Sequence, residues 1–105
     1  MSVSEEPLLT ANKDIKRIRA GHLAYATRKL NEFNEAHLIG DKEKQISILD
    51  SLKQAFKCFV TAHKEYIESG PQDEDLTRAN EQYSELMNEI LKADRLVSQP
   101  PNSIF

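Results

Sequence analysis

Few residues in this chain have types suited to chemistry: His22, His37, His63 and Cys58 stand out. A metal site asks for His pairs at i, i+4 or for a Cys/His cluster. His22 and His37 are 15 residues apart, and His63 lies in a different segment. No second His follows His63-Lys64-Glu65, and Cys58 precedes His63 by five residues, an awkward separation for one helix face. A nucleophilic Cys needs a His partner and a lowered pKa. Cys58 instead sits between Phe56 and Phe59 in a regular stretch without a Gly-rich turn, which suits a structural thiol. Gly21, Gly40 and Gly70 are isolated, so neither a dinucleotide fingerprint nor a Walker loop exists. Glu81, Glu85 and Glu89 form an i, i+4 ladder, the pattern of a solvated helix face. The expectation is a protein without catalytic residues, metal, cofactor or small-molecule substrate, and therefore not an enzyme.

A basic cluster is the other chemical feature. Lys13, Lys16, Arg17 and Arg19 place four cations within seven residues, a density suited to phosphate contacts. Gly21 nearby would admit a close partner backbone. Against this, 14 basic groups face 17 acidic ones, for a net charge of −3, and no aromatic interleaves the cluster. A solvated or acid-pairing helix face is the simpler reading, with nucleic-acid contact through these four residues the lesser one.

These side chains must be carried by a small framework. A chain of 105 residues implies one domain. With 39% hydrophobic and 30% charged residues it is too apolar for full disorder and too polar for a membrane protein. Three Gly and four Pro are too few for the frequent turns of an all-β fold. No apolar run approaches the ~20 residues of a membrane span. Met1-Ser2-Val3-Ser4-Glu5-Glu6 has neither a basic nor an apolar signal region, and Ser2 excludes myristoylation. One Cys makes no internal disulfide and fits a reducing compartment. An intracellular, cytoplasmic location is expected. Charge is weakly polarised: residues 1–40 carry six basic and five acidic groups, residues 71–105 three and seven.

Gly and Pro divide the framework. Ile39-Gly40-Asp41 reads as a helix stop followed by an N-cap, and Ser69-Gly70-Pro71-Gln72-Asp73 as a second stop followed by another. Helices are therefore predicted at about 12–38, 41–69 and 73–98, within a domain spanning 10–98. Residues 1–9 read as a flexible head and 99–105 as a Pro-containing tail. In the first helix Ile15, Ile18, His22 and Tyr25 form one stripe, continued by Leu23, Ala26, Leu30 and Phe33. The second has two stripes: Ile46, Leu49, Phe56, Val60, His63, Ile67 and Ile48, Leu52, Ala55, Phe59, Ala62, Tyr66. Such a wide apolar face suits two neighbours. The third has a seam of Leu76, Ala79, Tyr83, Leu86, Ile90, Ala93 and Val97, widened by Met87 and Leu91. Short connections make neighbours antiparallel. The fold class is thus all-α: an elongated antiparallel three-helix bundle with coiled-coil-like packing, the second helix central. A helical hairpin completed by dimerisation is the rival. Core is the default place for the aromatic residues, and Phe56, Phe59, Tyr66, Tyr83 and Met87 are the candidate surface for a partner or a second copy.

One order of residues is distinctive. Ile15-Lys16-Arg17-Ile18-Arg19-Ala20-Gly21-His22 leads into Thr27-Arg28-Lys29-Leu30-Asn31-Glu32. Then come Leu52-Lys53-Gln54-Ala55-Phe56, His63-Lys64-Glu65-Tyr66-Ile67, the acidic Asp73-Glu74-Asp75 and Tyr83. This order resembles the helical N-terminal Gag-like region of Bel/Pao-type LTR retrotransposon polyproteins, over residues 13–97. The Arg-Ala-Gly-His and Thr-Arg-Lys-Leu-Asn pieces carry the most weight. The resemblance implies a non-enzymatic, self-associating module upstream of a capsid-type region, with no catalytic residues of its own. Homo-oligomerisation is accordingly the first expectation. A helical adaptor binding a partner's amphipathic helix is the second. Nucleic-acid binding through the first helix is the third.

Overall fold

The computed structural model describes the backbone of residues 5–98 and the side-chain surroundings of residues 14–98. Three helices make up the fold: α1 (Glu5–Leu38), α2 (Lys42–Glu68) and α3 (Asp73–Ser98). Residues 1–4 of the expected flexible head and the tail 99–105 lie outside the described residues.

The two turns follow from backbone chemistry. Gly40 takes φ 73°, a left-handed value that costs a Cβ-bearing residue energy. Its N–H donates to His37 O at 3.1 Å, while Asp41 N donates to Ala36 O at 3.0 Å. Together these two bonds form a Schellman stop. Asp41 then caps α2, its Oδ1 accepting from Lys44 N at 3.0 Å. At the second turn Gly70 has φ 79° and donates to Ile67 O at 3.1 Å. Pro71 has no N–H for the outer Schellman bond, so only the inner bond of the pair forms. Leu76 N donates to Gln72 O at 2.7 Å, so Gln72 occupies the cap position before α3 and Asp73 opens the helix itself. Asp73, Glu74 and Asp75 put negative charge where the helix dipole favours it.

α1 starts at Glu5 and not near residue 12. Pro7 is compatible with this start, because N–H groups in a first turn have no intrahelical acceptor to lose. With 34 residues α1 is about 51 Å long, well beyond the 27-residue α2.

α2 is central, as its double stripe requires. α1 runs antiparallel to it, since Arg19 meets His63 and His37 meets Gln45. α3 also runs antiparallel to α2, beside α1, with Lys53 bonded to Asp94 at 2.6 Å and His63 packed on Tyr83. The core holds Phe33, Leu52 and Phe59, all fully enclosed, with Ala26, Ile48, Leu49, Ala55, Leu86, Ile90 and Ala93 around them. Enclosing each of the three large side chains contributes about 1.5–3 kcal/mol. The bundle closes its core within one chain, so the hairpin alternative does not describe it.

The inward stripe of α1 differs from the expected one. Ile18 is 51% exposed and Tyr25 42%, while Arg19 is 7% exposed. Arg19, Leu23, Ala26, Leu30 and Phe33 follow one 4-3-4-3 line, and that line faces α2 and α3. An apolar count skips Arg19 and so assigns Ile18 and Tyr25 to the wrong side. Ile46 and Leu91, also expected inside, are 52% and 50% exposed.

Candidate functional site

Arg19 organises the site. Its Nε donates to His63 Nδ1 at 3.1 Å, Nη1 donates to Gln82 Oε1 at 3.0 Å and Nη2 donates to Ala79 O at 3.1 Å. The guanidinium also lies 5.0 Å from the Phe59 ring centre and 5.3 Å from that of Tyr66. One α1 side chain thereby ties α2 to α3. Desolvation holds the Arg19 guanidinium below its usual pKa, with Tyr66 opposing. Burial, and then the Arg19 charge, push His63 below its usual value, with the Asn80 side chain opposing. His63 is thus a neutral acceptor, packed 4.9 Å centroid to centroid against Tyr83.

This placement corrects two expectations. Arg19 is not a surface cation available to phosphates: its donors are committed to three neighbours inside the bundle. Lys16 and Arg17 are exposed on α1, and the side chain of Lys13 lies outside the described residues. The second correction concerns the partner surface. Phe59 is fully buried and Tyr66 is buried; Phe56, Tyr83 and Met87 are half-buried. Phe56, Phe59, His63 and Tyr83 pack ring against ring between α2 and α3. α3 covers the Phe56 and His63 stripe of α2, and Tyr66 meets Arg19 of α1, so these aromatics serve the fold of one chain.

An open surface lies elsewhere, between α1 and α3. Both helices sit on α2 but touch each other little, which leaves a groove. Its larger part, about 640 Å³, is floored by Ala20, Leu23, Ala24, Thr27 and Ala79 and bordered by Lys16, Arg28, Arg78 and Asp75, with Arg19 at its base. A second part of about 470 Å³ shares Leu23, Thr27 and Gln82 and continues past Leu30, Leu86, Glu85 and Glu89. Small floor residues let another backbone approach closely, and the charged borders select its register. Sequence reasoning missed this groove. The small residues Ala20, Ala24 and Thr27 beside the apolar line of α1 were its only signal.

Among the described residues no three His, Cys, Asp or Glu side chains gather as a metal site, and Cys58 is exposed. No helix there is long and apolar enough to cross a membrane. Comparison of the chain with protein-family models, curated proteins and solved structures gives no match.

Proposed function

We propose that this chain is a non-enzymatic helix-packing module that works by associating with further copies of itself, in an intracellular setting. The observation that carries the reading is the open α1–α3 groove, a floor of small and apolar residues with charged borders. The resemblance to Gag-like assembly regions supports it from a different direction. The two most distinctive pieces of that resemblance supply Arg19, Ala20, Thr27, Arg28, Leu30 and Asn31 to the groove lining. A preorganised surface binds at lower entropic cost, and Arg19 ties α1 to α3 at the base of the groove.

Thermal unfolding at a series of protein concentrations tests the reading. A self-associating fold gains stability by mass action, so Tm rises with concentration. Ala24→Glu puts a charge on the groove floor at an exposed helix position, where the propensity cost is small. That variant is expected to keep its helical content and lose the concentration dependence. A wild-type Tm independent of concentration would overturn the reading.

A further inference from the structure

The groove has a charge order that selects its occupant. On α3 the residues bordering it are Asp75, Arg78, Gln82, Glu85, Glu89 and Lys92, an unbroken 3-4-3-4-3 line. α1 runs parallel to α3 at this level, because Arg19 reaches Ala79 O and Gln82 Oε1. Lys16 and Asp75 line one part of the groove together, and Thr27 and Leu30 line the other part with Glu85 and Glu89. Among the described residues neither Arg78 nor Glu85 has an ion-pair partner within the chain.

We infer that the groove is filled by α3 of a second copy, running antiparallel to the first about a two-fold axis near Gln82. This rests on the self-association reading above and specifies its seam. With the axis at Gln82, Arg78 of each copy faces Glu85 of the other. At each end of the seam Asp75 of one copy then faces Glu89 of the other, a carboxylate pair offset by Lys16, which lines the groove beside Asp75. A parallel arrangement would instead set Arg78 against Arg78 and Glu85 against Glu85, which like-charge repulsion opposes. The antiparallel contact is isologous, so it closes as a dimer and leaves no open groove to propagate.

Charge reversal tests the seam. Arg78→Glu places two acidic pairs across the axis, and Glu85→Arg places two basic pairs. Both positions are exposed, so circular dichroism of each variant is expected to match wild type. Wild type, each variant and their equimolar mixture are measured by sedimentation velocity at matched concentration. The seam predicts a dimeric wild type, each single variant weakened at least tenfold, and a mixture that recovers the dimer. Recovery follows because in the mixed dimer both facing pairs again join an acid to a base. A dimeric wild type with both variants unaffected overturns the seam and leaves self-association standing. Weakened variants whose mixture does not recover overturn the antiparallel pairing. A monomeric wild type overturns the self-association reading and the seam together, and points to a helix of another protein as the groove's occupant.

Discussion

Arg19 Nε and His63 Nδ1 lie 3.1 Å apart in the interior of the bundle, although 44 residues separate them in the chain. The bond requires His63 to be neutral at Nδ1, because a protonated ring has only donors to offer. Protonation would also set a second cation beside a buried guanidinium. Burial and Arg19 both lower the pKa of His63 in the fold. The unfolded chain, with His63 near its ordinary value of 6.5, then takes up the proton first as pH falls. Stability from this group is complete above about pH 6.5 and declines below it. Tm is expected to drop between pH 7 and pH 5 in wild type, and to drop less in His63→Gln, whose amide oxygen still accepts from Arg19. Equal slopes in the two proteins would show that His63 does not carry the effect.

Arg19 satisfies three acceptors with one planar fork, a task that a lysine ammonium cannot reproduce. Arg19→Lys is expected to cost about 2 kcal/mol, the scale of one or two hydrogen bonds to a charged group. Arg19→Glu should leave little folded protein, whereas Arg17→Glu, at an exposed position, should stay within about 0.5 kcal/mol of wild type. Urea unfolding of the three variants measures the contrast.

The first turn gives a smaller and more local prediction. Asp41→Ala removes the acceptor for Lys44 N and is expected to cost about 1 kcal/mol, or about 4–8 °C in Tm. Gly40→Ala forces a Cβ into φ 73° although nothing crowds the site. It should cost about 1 kcal/mol through backbone strain alone. Differential scanning calorimetry of both variants checks these values.

Packing separates the inward and outward stripes. Leu52 has no exposure, so Leu52→Ala is expected to cost about 2–5 kcal/mol. Ile18, half exposed, should tolerate Ile18→Gln within about 0.5 kcal/mol. Comparable losses at both positions, read from denaturant midpoints, would contradict the assignment of faces.

Much of the framework was legible because helices advertise themselves through spacing. Gly40, Asp41 and Gly70 marked the turns, and Leu52, Ala55, Phe59, Ala62 and Tyr66 marked the buried line of α2. α1 was less legible for one reason: a buried Arg completes its inward line, and apolar counting passes over it. Leu23, Ala26, Leu30 and Phe33 extrapolate backwards to residue 19, so the signal existed in the spacing. The groove was not legible. Its existence depends on how far α1 and α3 stand apart on α2, a property of packing angles and side-chain sizes across three helices. Phe56 and Phe59 of α2 and Tyr83 of α3 look the same in sequence whether they meet each other or a second copy.

The central claim is that this bundle associates with itself. Light scattering after size exclusion, over a wide concentration range and at low and high salt, tests it most directly. A self-associating bundle gives a mass approaching twice the 12.0 kDa of one chain as concentration rises, with weaker association at high salt because charged borders align the copies. A mass of 12.0 kDa at every concentration and salt would contradict it.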